Sequence, residues 1–167
     1  MCHPPAYDAA VSITSEAPWL TGDQQQVWRR WLAVQAALPA ALHRQLQRDS
    51  GLSLPDFDVL VQLTDQPEGR VRVSVLAAEL QWERSRLSHH VKRMEARGLV
   101  RREECDDDGR GWFVQLTDAG RDAIVAAAPD HVREVRELVF EDLTTDELAV
   151  LDRVTTKVLA RVSGRLG

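Results

Sequence analysis

Seven basic side chains fall between positions 84 and 102: Arg84, Arg86, Lys92, Arg93, Arg97, Arg101 and Arg102, against one acid, Glu95. A guanidinium is always charged, and its planar fork of donors fits a phosphate or the O6/N7 edge of guanine. Ser85, Ser88 and His89 sit among these cations and can serve bases or phosphates. Arg97, Arg101 and Arg102 come later and are expected to steer or to touch phosphates. Further on, Arg110 has the reach and charge to enter a narrow, electronegative minor groove, and Asp108 could fix its direction through an ion pair. Asp106 and Asp107 would repel phosphates. All of this is the chemistry of recognising a polyanion. Bond-making chemistry has no comparable support: the sequence has no phosphate-binding glycine loop, no nucleophile elbow and no paired histidine and carboxylate at a recognisable catalytic spacing.

The cationic window carries +6 in a chain whose net charge is −5, so the remaining residues carry −11. Net charge alone argues against a nucleic-acid partner and keeps open a second reading, a protein-interaction module with weak or no DNA binding. A strong local field inside an acidic chain argues instead for one surface with a dedicated task. The chain has 167 residues, 44% of them hydrophobic and 28% charged, enough to bury a core without metal or disulfide staples. Wholesale disorder and collagen-like or Pro-rich repeats are excluded. No apolar run is long enough to span a bilayer, and residues 1–18 lack a basic start followed by an apolar stretch, so no membrane partner and no secretory signal is expected. Two cysteines, Cys2 and Cys105, cannot frame a secreted scaffold, which points to a cytoplasmic location.

Trp19, Trp28 and Trp31 are gathered near the first helix. They either line an aromatic pocket, with His43 and Arg29 or Arg30 meeting a small aromatic anion, or serve as core and interface residues, as large aromatics commonly do. Cys105 would sense oxidants only if Arg101 or Arg102 stabilised its thiolate, and the acids that follow it oppose that. The histidines and cysteines form no metal-ligand spacing, so neither a metal nor any other cofactor is expected; His89 and His90 are both expected to face DNA.

The elements that must position these groups follow from periodicity. Residues 1–18 read as a loose tail. Val27, Trp31, Val34, Leu38 and Leu42 set a helix over about 23–49, with Asp23 as its cap, Pro39 as a kink and Gly51 as its stop. Ser53 and Asp56 form a capping box for a second helix that ends before Pro67-Glu68-Gly69. Val71 and Val73 suggest a very short strand, and Ser74 is expected to cap a short helix running to about Gln81. A helix over 83–97 places Leu87, Val91 and Met94 inward and ends at Gly98. A β-hairpin follows, Val100 to Glu104 and Trp112 to Leu116, turning at Asp106 to Gly111. Thr117 caps a helix to about Leu138 with a kink at Pro129, and Thr144 with Glu147 opens the last helix, whose apolar positions include Leu148, Leu151, Val154, Val158 and Val162.

Short helix, tight turn, second helix and hairpin is the order of a winged helix-turn-helix. The run Leu76-Ala77-Ala78-Glu79-Leu80, then Arg84 through Arg102 with its Arg97-Gly98-Leu99-Val100 core, resembles the MarR family of bacterial regulators. Asp108-Gly109-Arg110 matches that family's wing, Leu116-Thr117-Asp118-Ala119-Gly120 the opening of its next helix, and Leu52 through Leu60 its second helix. The resemblance covers roughly residues 23–165. It implies a mostly helical fold with a small β-hairpin wing, dimeric through its N- and C-terminal helices. It also implies a repressor of pseudo-palindromic operator DNA that a small phenolic or other aromatic ligand releases. On that reading the chain divides into a tail (1–18), a first dimerisation helix (19–50), a DNA-binding lobe (51–120) and C-terminal dimerisation helices (121–167). The double-stranded-DNA contacts are Arg84, Ser85, Arg86, Ser88, His89, Lys92, Arg93, Asp108 and Arg110. Pairing with a second copy would cover apolar faces including Val27, Trp31, Leu148, Leu151, Val158 and Val162, and twofold symmetry would set two such helices roughly 34 Å apart.

Overall fold

The computed structural model describes residues 19–104 and 112–166. The tail, Cys105 and the hairpin tip with Asp108 and Arg110 lie outside the described residues. By internal contacts the chain forms two compact units, 1–36 and 37–167. The long first helix, α1 (Gly22–Ser50), begins in the first unit. Its cap is not Asp23, which lies inside the first turn. Thr21 and Gln24 supply a reciprocal box: Thr21 N donates to Gln24 Oε1 at 2.9 Å and Gln24 N to Thr21 Oγ1 at 3.3 Å. Pro39 lies within α1 and does not end it.

In the second unit, α2 (Leu54–Thr64) starts on the expected Ser53/Asp56 box. A 3₁₀ turn, Pro67–Gly69, leads into β1 (Arg70–Arg72). Val73 already belongs to the next helix, α3 (Val73–Glu79), so Ser74 lies inside it; Arg72 holds the cap position without a side-chain bond. Then come α4 (Arg84–Ala96), β2 (Val100–Glu104), β3 (Trp112–Leu116), α5 (Asp118–Val135), a π-helical turn (Arg136–Phe140) and α6 (Thr145–Leu166). The π turn takes the place of the expected α-helical run to Leu138; Pro129 sits inside α5 without ending it. Thr117 caps α5 through Gly120 N, and the Thr144/Glu147 box caps α6, both as expected. None of the described helices is long and apolar enough to cross a membrane.

The hairpin is joined by a third strand. β3 is central, antiparallel to both neighbours, with Val71 opposite Val114 and Val100 opposite Leu116. These four side chains form one wall of the core. Leu60 and Leu63 from α2, Leu76 from α3, Leu87, Val91 and Met94 from α4 and Ile124 from α5 fill it. The register forces a close join beyond β3. Gly120 packs on the backbone of Leu99, and a Cβ there would overlap the Leu99 carbonyl oxygen.

Candidate nucleic-acid interface

Two turns aim α4. After α3, Gln81 takes a left-handed φ of 55°, Gln81 N bonds Ala78 O at 3.1 Å and Trp82 N bonds Ala77 O at 2.8 Å. After α4, Gly98 at φ 75° closes the same pair of bonds, Gly98 N to Glu95 O and Leu99 N to Met94 O. Both are Schellman ends, which stop a helix and send the chain back across it. Glycine takes that conformation without strain; at Gln81 a side chain bears it.

On α4, Leu87, His90, Val91 and Met94 are buried, while Arg84, Ser85, Arg86, Ser88, His89, Lys92 and Arg93 are all exposed. The seven expected α4 contacts therefore share the side of the helix that faces water. Ser88 Oγ donates to Arg84 O at 2.8 Å, a back-bond within the helix. His90 departs from expectation. Three residues beyond Leu87 and four before Met94, it shares the phase of the apolar positions and turns into the protein.

His90 reaches a buried carboxylate. Its Nε2 lies 3.1 Å from Asp56 Oδ1 without forming a hydrogen bond. Arg97 Nη1 donates to Asp56 Oδ2 at 2.7 Å, and its Nη2 to Gly51 O at 3.0 Å. Ser53 N donates to the same Oδ2 at 2.9 Å. Burial alone would push the Asp56 carboxyl up. The interactions with His90, Ser53 and Arg97 outweigh it and hold the group well below the usual carboxylate range. Asp56 thus caps α2 and ties α2 to α4. On the same helix, burial raises Asp58, partly offset by attraction to His90.

The later cations are engaged within the protein. Arg102 is gripped by Glu95, Nη2 to Oε2 at 2.6 Å and backbone N to Oε1 at 3.0 Å, and its guanidinium lies over Trp112 at 4.7 Å. Arg101 pairs with Glu103 at 2.9 Å. Together with the Arg97 contacts, this gives all three a structural partner that the sequence reading did not assign.

A second buried polar contact joins α1, α2 and α5. His131 and Gln45 are buried, with His131 Nδ1 3.2 Å from Gln45 Oε1. Gln45 Nε2 donates to Asp49 at 3.0 Å, and Phe57 packs on the His131 ring at 4.2 Å. Burial pushes His131 below the ordinary histidine value, and Glu134 works weakly against that. Among the four candidate ligand residues, Trp19 and Trp28 are exposed and Trp31 half-buried in the first unit. His43 belongs to the second unit, where its Nδ1 accepts from Leu54 N at 3.2 Å and helps to start α2. No group of three potential metal-ligating side chains occurs among the described residues.

Residues 50–111 match the model of the MarR family. The chain is 41% identical to Sco3205, a MarR family transcriptional regulator from Streptomyces coelicolor crystallised in complex with DNA; the match has a TM-score of 0.82 and covers 87% of this chain and 91% of that one. AbsC, another MarR family regulator from Streptomyces coelicolor, is 37% identical with a TM-score of 0.82, covering 89% of this chain and 99% of its own. The transcriptional repressor MprA of Escherichia coli K12 is 26% identical over 118 residues, 71% of this chain; the chain spans 66% of that repressor's length. Fold, motif order and these identities agree, and the chain belongs to the MarR family of transcriptional regulators.

Proposed function

We propose that this protein is a dimeric, sequence-specific DNA-binding regulator, a repressor that binds a pseudo-palindromic operator. The observation that carries the reading is the sorting of α4: four buried residues anchor it, and Arg84, Ser85, Arg86, Ser88, His89, Lys92 and Arg93 are left in solvent. An exposed helix of that composition, set on a core by two tight turns, suits the major groove. Arg110, braced by Asp108, would add a minor-groove contact. The dimer is supported by α6, on which no described residue is buried while Val150, Val154, Val158 and Val162 are each more than two-fifths exposed. A monomer rarely leaves such a stripe in water. The reading extends to a small aromatic anion as effector, drawn to the aromatic surface of Trp19, Trp28 and Trp31.

Selection of bound sequences from random duplex DNA tests the reading. Two related half-sites about 10 base pairs apart, centre to centre, are expected, with affinity falling steeply as salt rises. No enrichment at low salt would overturn it and favour the protein-interaction module. Candidate aromatic acids added to the selected complex test the effector; release by none of them removes that part.

A further inference from the structure

Resting on the DNA-binding reading, we propose that Trp82 and His90 are positioning residues, an aromatic pair that seats Arg86 and Arg93 on the exposed face of α4 before DNA arrives. Neither belongs to the water-facing row itself. Trp82 is the residue delivered by the Schellman turn after α3, its backbone N held by Ala77 O at 2.8 Å, and it packs against the core. The guanidinium of Arg86 stands 4.3 Å over its ring. The Trp82 and His90 rings meet edge to face, 5.5 Å apart at 87°. His90 Nδ1 receives Arg93 Nη2 at 2.9 Å. A guanidinium only donates, so Nδ1 accepts, and the ring proton sits on Nε2, toward Asp56. Two arginines seven residues apart, two turns along one face, are therefore each fixed by a ring beneath them, and the second ring is anchored to α2.

The physical consequence is preorganisation. A long arginine side chain loses rotamer freedom when it docks, and a ring that already holds the guanidinium reduces that loss. The remaining donors of the fork stay available to a base edge or a phosphate. Arg84, on the same exposed face, has no such seat among the described contacts and serves as the internal control.

The test is a double-variant cycle on binding to the duplex selected by the unchanged protein. Arg86→Ala is expected to weaken binding about tenfold, and Trp82→Leu about three- to tenfold. The pair together should lose no more than Arg86→Ala alone, because the ring acts through that side chain. Trp82→Leu combined with Arg84→Ala should multiply their separate losses, and Trp82→Phe should recover most of the affinity. Independent losses for Trp82 and Arg86 would overturn the proposal while leaving DNA binding intact; absence of any selected duplex would overturn both. Should Trp82→Leu unfold, nuclear magnetic resonance of the DNA-free Trp82→Phe protein carries the test. The Arg86 Nε–H signal, shifted by the indole ring in the unchanged protein, must move on the substitution, and an unmoved signal would overturn the seat.

Discussion

Asp56 offers the sharpest stability test, because one carboxylate serves three purposes. Replacing it with alanine strips Ser53 N of its acceptor, a capping loss of about 1 kcal/mol. It removes the charge-assisted bond from Arg97, worth about 1.5 kcal/mol at the lower end of the range because that side chain is partly exposed. It also takes the carboxylate charge away from buried His90 Nε2, which lies 3.1 Å from it without a formed hydrogen bond. The cap and the Arg97 bond together give about 2–3 kcal/mol, which for a chain of this size lowers the melting temperature by roughly 4–12 °C. Asp56→Asn, which keeps an oxygen for Ser53 N, should lose about half as much. The pH dependence has a definite sign. The folded-state value is depressed, so the stabilisation is present in full above the unfolded carboxylate range and is lost as pH falls through the folded value. Thermal melts followed by circular dichroism should show a constant gap between the unchanged protein and Asp56→Ala from pH 8 to about pH 5, closing only below about pH 4. A gap under about 2 °C at pH 7, or one that closes between pH 7 and 5, would refute the assignment of these contacts to Asp56.

Three further outcomes are expected. His131 is pushed below its usual value, so the unfolded chain binds the extra proton first and stability falls as pH drops below about 6.5; His131→Gln should flatten the melting temperature between pH 7 and 5, and an unchanged slope there would contradict this. Gln81→Gly relieves a left-handed side-chain conformation and should raise stability by about 0.5–1 kcal/mol, read by urea denaturation, less what the Gln81 side-chain bond to Ala78 O contributes. Gly120→Ala places a methyl against the Leu99 carbonyl and 2.9 Å from Leu116 Cδ1, where backbone rather than a flexible side chain must yield; a loss of about 3 kcal/mol or more is expected, and a fully stable variant would mean that the β2–α5 join is looser than described.

The elements were legible where local chemistry is self-contained. The boxes at Ser53/Asp56 and Thr144/Glu147, the Thr117 cap and the Gly98 stop need only a few neighbouring residues, and each stands as read. The Thr21/Gln24 box carries the same kind of signal, and Asp23 competes with it only as a residue type common at caps. Gln81 was not legible as a helix end, because its residue type gives no hint of a positive φ; the turn there is imposed by packing on either side. The burial of His90 is hidden for a different reason. A histidine on a charged helix reads as a surface group unless its phase against Leu87 and Met94 is weighed above its polarity. The cap role of Asp56 is local, but its second role depends on Arg97, forty-one residues away, and no local pattern encodes that pairing. The same distance hid the Gln45–His131 contact and the pairing of β1 with β3.

The acidity of the chain looks incompatible with a duplex partner until the acids are located. Asp56, Glu95 and Glu103 each hold one cation of the basic window, Arg97, Arg102 and Arg101 in turn. Arg84, Arg86, Lys92 and Arg93 have no carboxylate partner among the described residues, and all four lie exposed on α4. The carboxylates thus divide the window into cations that brace the fold and cations left for an outside anion, and a phosphate would have to displace a carboxylate to recruit the first set. That division is measurable. Neutralising any phosphate-contacting member of the second set should reduce the slope of log affinity against log salt by about 1. Arg101→Ala and Arg102→Ala should leave the slope unchanged, whatever they do to the melting temperature. Equal slope changes in both sets would mean that the ion pairs open on binding and that the whole basic window, rather than one face of α4, meets the DNA.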